Sequence, residues 1–216
     1  MRYNIRMAVK NHTEWGAKFK GTWNPNKERA TYDTAFYEKH RKYYEKGVTN
    51  LTNWLKENIE FDTIVDVGCG TGDMLVPLLE DKDCYGVDFS TGASDDLQIP
   101  LEKYEDHDLT IPFPESKPHR DLVFSLEVWE HIPDEFESVY VDNLLAYTPD
   151  HVLVSCAEPG QIGRHHYNCQ GKDHVIELMD SRGYDYDDAL TQSFRAIKKI
   201  AGFYRKNTML FHKRPS

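Results

Sequence analysis

Apolar positions near the start of the chain predict a long amphipathic helix. Between residues 30 and 60, Val48, Leu51 and Leu55 follow one another at intervals of three and four, and Phe36 and Trp54 add to the apolar set. This spacing places apolar side chains on one face of a helix. The stretch has no proline and one glycine, so we predict one helix here or two consecutive ones.

Beyond residue 60, short β-branched apolar runs alternate with helical patterns. The predicted strands are residues 63–67, 84–87, 103–107, 121–125, 151–156 and 208–212. The predicted helices are residues 74–79, 134–146, 173–182 and 190–201. Pro77 must lie in the first turns of its helix, and Gly183 is the expected C-cap of the helix before it. Such alternation is typical of a mostly parallel sheet, where ligands bind beyond the carboxyl ends of the strands.

The composition excludes several classes of protein. A length of 216 residues fits one domain, which we place at residues 30–216 behind an N-terminal arm at 1–29. The chain has 26 basic and 36 acidic residues, a formal net charge of -10, which argues against duplex nucleic acid as a partner. No stretch approaches the roughly 18 apolar residues of a membrane span, and no secretory signal begins the chain. We therefore expect a cytoplasmic protein, whose oligomeric state the sequence leaves open.

The arm and the cysteines are interpreted as structural. Trp15, Phe19 and Trp23 in the arm are expected to dock on the domain, and a flap over a ligand is the alternative. The four cysteines show no paired spacing, so we expect reduced thiols rather than a disulfide framework or a zinc knuckle.

A glycine-rich loop follows the first predicted strand. Asp66 is followed by Gly68, Gly70 and Gly72, and these glycines allow a sharp turn that exposes backbone N–H groups to a ligand. In the dinucleotide-binding pattern G-x-G-x-x-G, the third glycine would stand where this chain has Asp73. Because an acid beside a pyrophosphate is repulsive, the loop favours a ligand with a zwitterionic end and no phosphate.

Acids also follow the next two predicted strands. Asp88 is placed to accept hydrogen bonds from both ribose hydroxyls of a nucleoside, and Asp108 is placed to meet an adenine amino group. A nucleoside joined to a zwitterion without phosphate describes S-adenosylmethionine.

These segments resemble the motifs of the class I S-adenosylmethionine-dependent methyltransferases. Residues 64–72 are similar to motif I, residues 86–88 to the second motif, and residues 108–109 and 121–128 to the next two. The resemblance implies an α/β, Rossmann-like, doubly wound seven-stranded sheet that is mostly parallel. Its last strand is antiparallel and lies between the fifth strand and a short sixth one at 184–186.

The resemblance also implies the cofactor and the residues that bind it. These are Asp66, Gly68, Gly70, Gly72, Asp88, Asp108, Leu109, Ser125 and Leu126. A narrower resemblance, over residues 155–170 and 204–211, is to small stand-alone bacterial and phage methyltransferase domains, some of which occur among sugar-modifying enzymes. It implies O-methylation of a sugar, a glycan or another hydroxylated small molecule.

The segment after the fourth predicted strand suits a divalent metal ion. If it is helical, Glu127, Glu130 and His131 share one face, and His166 or His165 completes a set of four ligands. The pattern resembles the Glu-x-x-Glu-His of metal-dependent O-methyltransferases and implies Mg²⁺ or Mn²⁺. In the alternative, Glu127 only hydrogen-bonds the cofactor, the other two residues orient a helix start, and no metal binds.

The loop after the fifth predicted strand contributes candidate catalytic residues. His166, Asn168 and Gln170 alternate, so an extended loop would direct them to one side as a polar wall. We predict His166 as general base, with Glu127 and Asn168 completing the catalytic set. The alternative is a histidine that hydrogen-bonds a backbone carbonyl and has only a structural role.

Three rival functions remain at this stage. One is a nicotinamide-dependent oxidoreductase, which Asp73 argues against, and another is a non-catalytic module that binds S-adenosylmethionine. The third is a metal-dependent RNA 2′-O-methyltransferase. That enzyme would need a basic patch, for which the sequence offers residues 198–199, 205–206 and 213–214.

Overall fold

The computed structural model describes residues 34–89, 91–163 and 165–215. The predicted arm at 1–29 lies outside these residues, so its boundary and its docking remain predictions. Within the described part of the chain, no helix is both long enough and apolar enough to cross a membrane.

Seven strands form one sheet, as the resemblance implied. They are β1 (Thr63–Val67), β2 (Asp83–Asp88), β3 (Tyr104–Asp106), β4 (Leu122–Ser125), β5 (His151–Ser155), β6 (Tyr184–Tyr186) and β7 (Thr208–Lys213). Their order across the sheet is β3-β2-β1-β4-β5-β7-β6, with β7 antiparallel to both of its neighbours and the other pairs parallel. The predicted Rossmann-like fold is therefore confirmed.

Helices cover both faces of the sheet. They are α1 (Thr34–Asn58), α2 (Thr91–Ser94), α3 (Glu137–Leu145), α4 (Lys172–Asp180), α5 (Asp188–Arg195) and α6 (Gly202–Asn207). One core contains Tyr140 of α3 and Met179 of α4, and the other contains Leu51 of α1 and Phe194 of α5. The central strands are buried on both sides, which explains their continuous apolar runs.

Two predicted helices differ from the observed elements. Residues 74–79 contain only a 3-10 turn, Val76–Leu78, because Pro77 has no N–H to donate and its ring opposes a longer α-helix. The helix predicted at 190–201 begins earlier and ends at Arg195. The Asp187 carboxylate caps its start by accepting a hydrogen bond from Leu190 N at 2.8 Å.

Asp121 fastens the start of β4 to the start of β1. Its Oδ2 accepts hydrogen bonds from Asp62 N and Thr63 N, both at 2.8 Å, and from Thr63 Oγ1 at 2.9 Å. Burial opposes ionisation, but these donors stabilise the carboxylate more strongly and lower the pKa of Asp121 to about 2.

We predict that Asp121→Asn lowers the free energy of unfolding by about 2 kcal/mol at pH 7. Because the folded pKa lies below the unfolded value, this stabilisation is complete above about pH 4 and is lost as the pH falls through about 2. Urea unfolding of both proteins at pH 7 and pH 3 measures the difference, which should be smaller at pH 3. Asp62→Asn changes a largely exposed side chain and should have little effect; equal losses in both variants would contradict the assignment.

Candidate functional site

The glycine loop after β1 packs against the segment that follows β4. Gly68, Gly70 and Gly72 have φ of 88°, 55° and 84°, in the left-handed region that favours glycine. A Cβ on Gly68 would lie 2.3 Å from Cγ2 of Val128. Gly68 N donates to Val87 O at 2.7 Å, so the loop turns directly over the end of β2.

Two carboxylates border this loop. Asp88 Oδ2 accepts from Gly70 N at 2.8 Å, which joins the end of β2 to the glycine loop. Asp66 is buried at the end of β1, and burial, followed by the negative charge of Asp88, raises its pKa well above the ordinary value. A cationic ligand group at the loop would therefore stabilise the ionised form of Asp66 beside Asp88.

The N-terminal half of α1 lies over the same loop. The Arg41 guanidinium pairs with Asp73 of the loop and, at 2.9 Å, with Asp96. A Cβ on Gly70 would lie 2.8 Å from the ring of Tyr37. The sequence pattern did not single out Arg41, because nothing in a helical pattern shows which residue of α1 faces a loop 32 positions away.

The remaining predicted cofactor residues lie at strand ends. Asp108 closes a turn by accepting from Thr110 N at 2.9 Å and Thr110 Oγ1 at 2.7 Å, while Leu109 is buried. Ser125 is fully buried; its Oγ donates to Val67 O at 2.5 Å and contacts Tyr140 OH at 2.7 Å. The Ser125 hydroxyl thus joins β4 to β1, and Leu126 beside it is also buried.

The segment from Glu127 to His131 is not one helix, so these residues do not share a helical face as expected. Only Trp129–His131 make a 3-10 turn, and Glu127 stands before it in the left-handed region at φ 58°. Ser155 at the end of β5 holds this strained residue: its Oγ accepts from Glu127 N at 2.6 Å and donates to Glu127 Oε1 at 2.8 Å. The expectation of a shared face was wrong because this tertiary contact fixes the backbone.

Three of the four predicted metal ligands do come together. Ligand atoms of Glu130, His131 and His166 all lie within 4.8 Å of one another. Glu127 does not contribute to that group. His131 Nδ1 contacts His165 O at 3.0 Å and His166 Nδ1 contacts Gln161 O at 3.2 Å. Each ring thus donates its Nδ1–H to a carbonyl and keeps its lone pair on Nε2, an arrangement typical of metal-binding histidines.

Burial determines the protonation of this group. Neither carboxylate oxygen of Glu130 has a well-formed hydrogen bond within the described residues. Burial, and then the negative charge of Glu127, raise the pKa of Glu130 to about 8. Burial lowers the pKa of His131 to about 4 and also lowers that of His166, so both rings are neutral near pH 7.

His166, Asn168 and Gln170 do not line one side of the loop as the predicted polar wall required. Asn168 is buried, with Nδ2 donating to Glu137 Oε1 at 2.8 Å and Oδ1 accepting from Gln170 Nε2 at 2.6 Å. Its partners therefore differ from those of His166, and its side chain anchors the loop to the start of α3. The loop also docks on Glu130, whose carbonyl accepts from Tyr167 N at 2.7 Å.

This fold and site define a class of protein. A seven-stranded sheet of this order, with a glycine loop after β1 and acids at the ends of β1 and β2, is the architecture of the class I S-adenosylmethionine-dependent methyltransferases. A family model described as "Methyltransferase domain" matches residues 37–198. The chain belongs to this methyltransferase domain family, and the predicted membership of the class is confirmed.

Solved structures share the fold at low sequence identity. The magnesium protoporphyrin IX methyltransferase of Synechocystis, with bound S-adenosylhomocysteine, is 18% identical over 95% of each chain, with a TM-score of 0.56. A sugar N-methyltransferase from Streptoalloteichus is 12% identical, covering 90% of this chain and 98% of its own, with a TM-score of 0.63. The methyltransferase domain of bacterial CtHen1 is 20% identical, covering 79% and 98%, with a TM-score of 0.55. No curated protein matches the chain.

We predict that Gly68→Ala lowers the free energy of unfolding by about 2 kcal/mol, because it strains a left-handed residue and collides with Val128. Urea unfolding measures this loss. Gly202→Ala is the matched control: no atom lies within 4 Å of its Cβ position, and the first residue of α6 tolerates alanine. An unchanged Gly68→Ala protein would show that the loop does not need this packing.

Proposed function

We propose that this enzyme transfers the methyl group of S-adenosylmethionine to an oxygen of a hydroxylated small molecule, with a sugar or glycan as the first acceptor class. The reaction is an in-line displacement at the sulfonium, which is already activated, so the protein contributes mainly by positioning the two reactants. The main support for an oxygen nucleophile is that Glu130, His131 and His166 lie close enough together to bind a metal ion.

The residues around the glycine loop fit the cofactor. Gly68 and Gly70 let the methionine part pass close to the backbone, where a side chain would collide with Val128 or Tyr37. The Asp66 and Asp88 carboxylates suit the cofactor's ammonium group and ribose hydroxyls respectively. We assign the adenine edge to Asp108 and Leu109, and the remaining loop contacts to Gly72, Ser125 and Leu126.

The ligand group fits a divalent cation. The Glu130 carboxylate is completely buried and lacks a well-formed hydrogen bond within the described residues, and a cation would compensate its charge. The group has one carboxylate, two imidazoles and no thiolate, a donor set that accepts Mn²⁺, and the resemblance to Glu-x-x-Glu-His methyltransferases supports Mn²⁺ or Mg²⁺. A bound cation supplies Lewis acidity that lowers the pKa of an acceptor hydroxyl. Glu127 was the fourth predicted ligand; it lies beside this group, and its negative charge adds to the attraction for a cation.

A metal-free version of the same reaction assigns the proton to His166. Its Nδ1–H donates to Gln161 O, and the lowered pKa keeps the ring neutral, so Nε2 is able to accept a proton from the acceptor hydroxyl. In this version Asn168 acts indirectly, by anchoring the loop that carries His166 to the start of α3, and Glu127 completes the proposed catalytic set.

Two observations bear on the rival acceptors. RNA methylation requires free basic residues, but Lys206 pairs with Glu158 at 2.6 Å and Arg214 pairs with Asp185. These pairs favour a small acceptor over a polyanion. A cytoplasmic location remains a prediction from the sequence.

Calorimetric titration with S-adenosylhomocysteine, first in chelator and then with Mn²⁺, tests the proposed function. We expect binding in both conditions and a loss of at least about tenfold in affinity for Asp88→Ala, which removes two hydrogen-bond acceptors from the ribose site. Asp95→Ala, at an exposed position, is the control. If S-adenosylhomocysteine does not bind and NADH does, the site belongs to an oxidoreductase. If S-adenosylhomocysteine binds but no hydroxylated acceptor is methylated, the result favours a non-catalytic module.

We predict that Mn²⁺ affinity rises by about tenfold per pH unit up to about pH 8 and then levels off, because the metal competes with the proton on Glu130. Mn²⁺ titration followed by electron paramagnetic resonance measures this dependence. Glu130→Gln should abolish the binding. His119→Ala alters the other described His/Asp group, formed with Asp121 and Asp150, and should not change it. A pH-independent affinity would contradict the assignment.

A further inference from the structure

We propose that Asn207 is a positioning residue that fixes the two sides of the reaction site, Glu127 and His166, relative to each other through Gln161. The proposal rests on the proposed function in so far as Glu127 and His166 act there.

Asn207 lies at the point where α6 ends and β7 begins. It is 2% exposed, and its Nδ2 donates to Gln161 Oε1 at 3.1 Å. The Glu127 carboxylate lies near the same side chain, and its interaction with Asn207 lowers the pKa of Glu127 against the larger, opposing effect of burial. Because β7 runs antiparallel to β5, Thr208 pairs with Ser155, and this register brings Asn207 to the edge of the sheet where Glu127 stands.

An amide NH₂ is the chemical group that this position requires. Gln161 Oε1 accepts from Asn207 Nδ2 at 3.1 Å, and the second hydrogen of the same nitrogen is available to the Glu127 carboxylate. Asn207 Oδ1 is buried and has no hydrogen-bond partner within the described residues. The two amide hydrogens, rather than Oδ1, are therefore what this side chain contributes to the site.

Gln161 carries the constraint to His166. Its side chain accepts from Asn207, and its backbone carbonyl accepts from His166 Nδ1 at 3.2 Å. The imidazole also lies against Gly163, where a Cβ would be 1.9 Å from Nε2. The hydrogen bond to Asn207 and the hydrogen bond to His166 are both made by Gln161. Anchoring the Gln161 side chain therefore restrains its backbone carbonyl, which sets the tautomer of His166.

Four variants isolate this linkage. Asn207→Ala removes both donors, Asn207→Asp replaces them with acceptors, and Gln161→Ala removes the link at a half-buried position where the fold is not at risk. Gln161→Glu is the conservative variant, because its carboxylate still accepts from Asn207. Asn143→Ala is the structural control: Asn143 is a buried asparagine that bonds Leu109 O, Ile111 O and Phe113 N on the other side of the sheet.

Three measurements on the full chain decide the proposal. Long-range ¹H–¹⁵N spectra report the tautomer of His166, Mn²⁺ titration reports the ligand group, and S-adenosylhomocysteine titration reports the cofactor site. In Asn207→Ala, Asn207→Asp and Gln161→Ala, we expect His166 to change from one tautomer to a mixture of two. We also expect the affinity for Mn²⁺ to fall by about tenfold or more. Gln161→Glu should keep the single His166 tautomer and the wild-type Mn²⁺ affinity. In all four Asn207 and Gln161 variants, the affinity for S-adenosylhomocysteine should stay within about twofold of wild type.

The outcomes separate this proposal from the proposed function. If wild type binds no Mn²⁺, the metal assignment fails, and the spectra of His166 still decide the role of Asn207. An unchanged tautomer in both Asn207→Ala and Gln161→Ala would overturn the linkage. So would an equal change in Asn143→Ala, since that result would attribute the effect to general loss of stability.

Discussion

The burial of three carboxylates at the carboxyl edge of the sheet is the constraint on which the rest of the site depends. Asp66 at the end of β1 and Glu130 after β4 are fully buried, and Glu127 between them is half-buried, so an uncompensated negative charge is costly there. Burial raises the pKa of each of them. The structure therefore needs donors or cations at this edge, and two loops bring such groups to it.

The topology of the sheet determines which loops reach the carboxylates. Parallel strands β1, β4 and β5 end at one edge, and antiparallel β7 begins there, so residues far apart in the chain meet. The glycine loop approaches from one side, and the segment after β5 approaches from the other with His166 and Gln161. A methyl donor and its acceptor must be held in line to react, and groups brought in by separate loops can position them in this way. The same register places Asn207 between the two sides.

Much of the fold and part of the site follow from local pattern. The strands were predictable because buried parallel strands are continuous apolar runs, and the glycine loop because Gly68 and Gly70 occupy conformations that other residues strain to adopt. The proximity of Glu130 and His131 was also predictable, since the two are adjacent residues of one turn. The helical placement of Glu127 was not, because Ser155, 28 positions away, holds it in a left-handed conformation.

The sequence alone determined the class of the protein, its strand order by resemblance, and most of the residue types at the strand ends. Only the tertiary structure decided how those side chains are used: that Asn168 is buried beneath the loop, that Arg41 covers the glycine loop, and that Asn207 bridges Gln161 and Glu127. The reason is physical. Periodicity and turn chemistry act over a few residues, whereas these contacts join residues 31, 32 and 46 positions apart. Such contacts exist only after the sheet has assembled and set the register of its edge.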